Sequence, residues 1–487
     1  MKRLACVALA ACAGNSAVIT PVIDEPANDS ASAFPLDSVT ISVAHQGAAV
    51  DLVSQTITKG QPIDLGGVPF ADDLVIHMTG QLSSSAVAYG RTCAFALDQN
   101  ATPPSPHLYF AHTVKFGQQS FTPLLRTGGV AVTYHDGSAL FIGGVSPGSS
   151  TTPVTDVERY DPSAGEYRVL TTISQRIGAA VALLGLGTEI HVTVIGGIDA
   201  STGTGATFVE TIEADNPADR RVERIDDSSM ARLGLTATTL VDGDIIVMGG
   251  SGTAGSAGSG SDASTSVDEI TLANGTPTVL PSHAALLHGR WNHTATRLGD
   301  DLGSEILVAG GEGSGSNGIV APIAEAELYK PLTDKFSTVH PTMLYPRTLH
   351  RAVRMPDGSV LIIGGLDAMG KPVTNLESFT IDGGFVDAGT LPPNAGVLDF
   401  TTTTLPDGRI LMAGGRMSPA GAPTATAFIL QVNTNTGLID FLATDHLAVP
   451  RAGHAATPLC DGTILIAGGT TDPQPAERYN PIATSRR

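Results

Sequence analysis

Six arginines recur at one place in a repeated pattern: Arg126, Arg176, Arg232, Arg290, Arg347 and Arg451. Each precedes a Gly-Gly pair, by 17 residues in the copies at 126, 232, 347 and 451 and by 20 in those at 176 and 290. A guanidinium is a planar fork that fits carboxylates and phosphates, so a set of six could receive an acidic ligand. Recurrence in every unit is also what a packing role produces, with each arginine held by a glutamate or by carbonyls inside its own unit. His293, His350 and His454 stand three residues after three of these arginines. Equivalent residues of a repeat lie far apart unless they reach a common axis, so these read as hydrogen-bonded structural histidines, and no metal site is expected.

The elements that position these residues are short. After each arginine comes a strand of small residues, then an Asp-Gly pair, an aliphatic run and the diglycine, as in Asp357-Gly358-Ser359-Val360-Leu361-Ile362-Ile363-Gly364-Gly365. Close copies end at Gly144, Gly250, Gly415 and Gly469, and looser ones at Gly197 and Gly311. Seven diglycines at spacings of 50 to 61 residues imply a ring or stack of similar units. Asp-Gly between two strand-like runs predicts a hairpin with a type I′ turn. The unbroken aliphatic run predicts a strand covered on both faces. A third strand carries Glu-Arg-Tyr-type signatures, as at Glu158-Arg159-Tyr160, Glu327-Leu328-Tyr329 and Glu477-Arg478-Tyr479. Val397 replaces the arginine in the sixth unit, which also lacks Glu-x-Tyr.

Composition narrows the classes. The chain has 487 residues, 56 of them glycine and 31 proline, and a formal charge of −20. An acidic protein is a poor partner for phosphate backbones, so no nucleic acid is expected. Met1-Lys2-Arg3, the apolar run Leu4 to Ala11 and the sequence Leu9-Ala10-Ala11-Cys12 resemble a secretory leader ending in a bacterial lipobox, with Cys12 the lipidated residue. The alternative is ordinary cleavage after small residues; either way export is implied, and contact with a membrane is through the anchor alone. Residues 1–11 are thus read as signal peptide and 13–34 as a disordered tether with a reach of roughly 25 Å. Residues 35–105 hold strand-like segments without the refrain, notably Ser38–His45, Asp51–Thr58, Asp73–Met78 and Ala86–Leu97, and suggest a small β-sandwich. Residues 106–487 hold the repeats, although the segment 107–116 could belong to either part. Cys93 and Cys460 read as two buried free thiols, unless the N-terminal part docks near residue 460 and lets them pair.

The recurrence of these elements in order resembles a kelch-repeat β-propeller, over about residues 120–487. The resemblance implies an all-β, seven-bladed propeller preceded by the small β-sandwich-like domain. Kelch units carry tryptophan on the fourth strand, where this chain has Tyr167, Phe336 and Phe385; its one tryptophan is Trp291. The resemblance also places the six arginines near the channel mouth, on the face of the long loops that follow each diglycine. A radical-copper site of the galactose-oxidase kind is not expected, because Cys93 lies outside the propeller and Cys460 at an Asp-Gly turn. No cofactor is expected. Since the last unit stops soon after its third strand, a strand near 107–116 or 118–124 should close the ring. The reading is an exported, lipid-anchored, non-catalytic module that binds protein or glycan at the cell envelope. The alternative is a sugar mutarotase- or epimerase-like enzyme working at the channel mouth.

Overall fold

The computed structural model describes residues 16–28, 36–58, 61–149, 152–214, 222–252, 263–281, 284–314 and 320–481. The signal and lipidation expectations, Cys12 included, lie outside these. Among the described residues the chain is all-β, with seven four-stranded antiparallel sheets. The second strands, such as Ala139–Ile142, Ile306–Ala309, Val360–Ile363 and Ile464–Ala467, are buried at every position, because each is sandwiched between neighbouring sheets. The first strands neighbour one another around a common axis, and that of the first sheet, Val130–Thr133, lies against that of the seventh, Ala455–Pro458. The architecture is propeller-like.

The Asp-Gly turns differ from the expected type. In the first sheet the Gly137 amide donates to the Tyr134 carbonyl and the Tyr134 amide to the Ser138 carbonyl. Only Gly137 has positive φ, +81°, which makes a type I turn followed by a left-handed glycine. The reason is local: the Asp136 carboxylate accepts the Ser138 amide at 2.9 Å, and that Asx turn keeps aspartate out of the left-handed region. Asp357 and Asp461 repeat the bond to Ser359 and Thr463.

The seventh sheet is completed from the other end of the chain. Lys115–Gln118 pairs with Glu477–Asn480 as its outer strand, straddling the boundary between the two expected candidates, 107–116 and 118–124. The register explains the choice. Phe116 lies opposite Tyr479, as Phe336 lies opposite Tyr329 and Phe385 opposite Phe379. The ring pairs stand 4.9, 4.9 and 5.1 Å apart, so Phe116 fills the aromatic position of a fourth strand. A chain beginning at residue 125 would leave Glu477–Asn480 as an unpaired edge and uncover Tyr479. It is expected to aggregate on size-exclusion chromatography; a monodisperse, cooperatively melting product would show that closure does not depend on this strand.

The N-terminal part departs from expectation in two respects. Ser38–His45, Asp51–Ile57, Ala71–Leu82, Ser85–Arg91, Phe95–Leu97 and Ala111–His112 form one six-stranded sheet, not two facing sheets. Its core gathers Ile41, Val43, Leu74, Ile76, Leu97, Leu108 and Phe110. Part of the expected tether is structured: Ser16–Ala17 pairs with Val68–Pro69, and Val22–Asp24 runs parallel to His107–Tyr109. Ile19 and Ile23 give it apolar anchors in this core, and Asp24 meets His107 at 2.7 Å. Segment 107–118 therefore serves both parts, passing from the N-terminal sheet directly into the seventh sheet.

Cys93 and Cys460 are joined in a disulfide, not held as free thiols. The N-terminal sheet docks on the Asp-Gly end of the seventh sheet, bringing the two Cα atoms to 5.0 Å. Arg91 donates to the Cys460 carbonyl at 3.0 Å, and the Asn480 amide group donates to the Tyr89 and Ala111 carbonyls.

Candidate functional site

The six repeat arginines are interior residues. Their exposures are 3% for Arg126, 2% for Arg176, 5% for Arg232 and 0% for Arg290, Arg347 and Arg451. Each pairs with an acidic residue of its own sheet's third strand: Glu158, Glu210, Asp268, Glu327, Glu377 and Glu477. Each also donates from Nη1 to the carbonyl of the first glycine of its own diglycine, for example Arg347 to Gly364 at 3.1 Å and Arg451 to Gly468 at 2.8 Å. Each of the five glutamates in turn accepts a backbone amide from just upstream of its arginine, as Glu158 does from Leu124 and Glu477 from Ala448. Burial pushes the Glu158, Asp268 and Glu377 carboxyls up and all six arginines down, and the opposite charge of each partner offsets it. With their charge spent inside each sheet, these arginines offer no cationic mouth to a ligand. The sixth sheet confirms the pairing by losing both members: Val397 replaces the arginine, and Phe428 occupies the acid's register position opposite Met412.

The arginines also join neighbouring sheets through their backbone. The second glycine of one sheet donates its amide to the carbonyl of the next sheet's arginine: Gly197 to Arg232, Gly250 to Arg290, Gly311 to Arg347, Gly415 to Arg451, and Gly469 back to Arg126. Gly365 makes the same bond to Val397. The histidines act at the same joints. His293, His350 and His454 are buried, and their Nε2 atoms lie 3.0, 3.0 and 2.8 Å from the hydroxyls of Thr236, Thr294 and Thr401 in the preceding sheets. They hold no metal arrangement; among the described residues no cluster of three or more His, Cys, Asp or Glu side chains could hold an ion.

What does open toward the axis lies one to four residues beyond each arginine. The residue two positions on has positive φ in every sheet: Gly128, Gly178, Gly234, Asn292, Leu349, Asp399 and Gly453. Amide-to-carbonyl bonds link several of them around the axis, Gly128 to Gly453, Asn292 to Gly234 and Gly453 to Asp399. Four neighbouring sheets thus present glycine, and the fourth, fifth and sixth present side chains. Leu349 at φ +56° is 49% exposed, a backbone conformation that costs a non-glycine residue about 1–3 kcal/mol. Asp399 faces Arg416 at 2.9 Å. Met369 and Met417, in the loops following the fifth and sixth diglycines, are exposed as well.

Four residues beyond the arginine the column reads Val130, Ala180, Thr236, Thr294, Arg351, Thr401 and Ala455. Arg351 is the one charge in a column of small residues, a signal present in the sequence once the repeats are laid over one another. Its side chain is exposed, yet burial works against its charge, with Asp399 supporting it. Among the described residues its one hydrogen bond is a long one, 3.4 Å from Nε to the Phe400 carbonyl.

No family model matches the chain, and no curated protein matches it. Among solved structures, one titled "Structure of YjhT" aligns with a TM-score of 0.43 and 14% identity, covering 62% of this chain and 93% of that one. The architecture stands on the strand pairing: an all-β, propeller-like protein.

Proposed function

We propose that this protein is an exported, seven-bladed kelch-type propeller acting as a non-catalytic module that binds a protein or glycan of the cell envelope. In this reading Cys12 carries the lipid anchor, and the ligand meets the long-loop face at the mouth of the axial channel. The disulfide between Cys93 and Cys460 supports an oxidising compartment, where such bonds persist. The single observation that carries the binding role is Leu349: an exposed leucine kept at positive φ where four other sheets use glycine. Strain of this kind persists where a side chain is needed, and Asn292, Asp399, Met369 and Met417 surround the same side of the mouth by position in neighbouring sheets and loops.

The test is a pull-down from solubilised envelopes together with a glycan array, comparing wild type with Leu349→Gly. Glycine relieves the strain, so the variant should melt at or above the wild-type temperature while losing about tenfold or more of the retained ligand. A ligand held equally by both proteins would overturn the assignment of the mouth.

A further inference from the structure

We infer that the outer edge of the N-terminal sheet pairs with the same edge of a second copy of this chain, joining the two sheets across a twofold axis. This surface is independent of the channel mouth. The edge belongs to Asp51–Ile57, which pairs with Ser38–His45 on one side and ends the sheet on the other. Among the described residues no strand pairs with that outer edge over residues 52–57. An open row of amides and carbonyls is a template for another strand, and edges that must stay single carry charges, prolines or bulges. The seven outer strands of the propeller-like sheets obey that rule. Each holds a charge or a proline, from Glu166 in the first sheet to Pro277 in the third, Lys335 in the fourth and Lys115 in the seventh. Asp51–Ile57 holds neither after its first residue. Its one irregularity is a register shift that leaves Leu52 without an opposite residue, so residues 53–57 form a regular edge.

Charge and register point to a second copy as the occupant. At a formal charge of −20 two copies repel, so a contact between them needs a neutral or complementary surface. Residues 52–58 carry no charge. Antiparallel pairing about Gln55 uses the whole regular stretch. It sets Val53 opposite Ile57 of the second copy and Ser54 opposite Thr56, and the twofold axis repeats each pair. Apolar pairs and hydroxyl pairs are kinds that stabilise a ladder. The same face already has a hydroxyl pair within one chain, Thr40 with Thr56 at 2.9 Å. Ser54 and Thr56 are exposed, while Val53 packs on the N-terminal core and Ile57 is buried. The docked propeller leaves this edge clear. Its contacts run through Ser85–Arg91 and Ala111–His112 to Cys460 and Asn480. Those strands lie three and four places from Asp51–Ile57 in the sheet, about 14–19 Å away.

Sedimentation velocity of the full-length protein tests the pairing and its register. Wild type should pass from monomer to dimer between about 1 and 100 µM, the range of a modest specific contact. The double variant Ser54→Lys with Thr56→Lys sets like charges opposite one another twice, and should weaken dimerisation about tenfold or more. The double variant Ser54→Lys with Thr56→Glu sets opposite charges there instead, and should dimerise at least as well as wild type. Both positions are exposed, so the two double variants should melt close to wild type, which separates lost pairing from lost folding. Val386→Lys, at an exposed position on the outer strand of the fifth sheet, should leave the equilibrium unchanged. A wild type that stays monomeric throughout would leave the edge to a strand of another protein and overturn the inference. So would dimerisation untouched by the paired lysines, or a Lys/Glu variant as weak as the Lys/Lys one.

Discussion

Arg347→Ala is expected to lower the stability of this protein by about 3–5 kcal/mol, the cost of leaving a buried carboxylate without its counter-charge. The guanidinium makes four bonds at once: to Glu377 at 2.8 Å, to the Gly364 and Asn375 carbonyls at 3.1 and 2.9 Å, and to the Tyr345 carbonyl at 3.1 Å. Truncation strands Glu377, which is 0% exposed, and three carbonyls besides. Typical domains have only about 5–15 kcal/mol in hand, so the urea midpoint should drop sharply. The informative comparison is the double variant Arg347→Val with Glu377→Phe, which copies Val397 and Phe428 of the sixth sheet. Removing both charges together should recover more than half of the loss, because a buried ion pair exchanged for apolar residues of similar volume is often neutral. If the double variant is no better than Arg347→Ala alone, the arginine contributes through its carbonyl bonds and not through pairing.

Acidification should weaken the same joints. His293, His350 and His454 are buried and neutral, and burial is the main cause that pushes the rings down, to about 3 for His350 and His454. The unfolded chain takes up protons at its ordinary value of 6.5 while these folded rings do not. Stability is therefore complete above about pH 6.5 and is lost as pH falls from there toward 3. By linkage His350 and His454 each cost about 2 kcal/mol between pH 7 and pH 5, roughly 4 kcal/mol together, and His293 acts in the same direction. The sixth sheet again supplies the control, since Phe400 stands at the histidine position there. The variant His350→Phe with His454→Phe forfeits the hydrogen bonds to Thr294 and Thr401, so its midpoint at pH 7 should be slightly lower. Its further loss on going to pH 5 should be smaller than wild type's by about 4 kcal/mol. Equal losses in the two proteins would mean that these rings are protonated within the intact fold.

Both expectations come from comparing the units of one chain. Positions that change together between the fifth and sixth sheets act as a natural double substitution, and they locate the pairing more firmly than any single contact distance.

Local patterns were readable in the residues themselves. The diglycine refrain marks the units, because a strand covered on both faces must be apolar throughout and a left-handed turn must be glycine. The aromatic of the third strand, the Asp-Gly turns and the strands Ser38–His45 and Asp51–Ile57 are all fixed by neighbours within a few residues of one another. What the sequence could not settle depends on residues far apart in the chain. Whether the repeat arginines face a ligand or their own sheet turns on where the third strand falls, 26 to 37 residues later, and on how completely water is excluded around it. Whether Cys93 meets Cys460 turns on docking across 367 residues. Arg351 stands out in the sequence as one charge in a column of small residues. Only the pairing of the sheets places its Nε against the Phe400 carbonyl of the next sheet, 49 residues on.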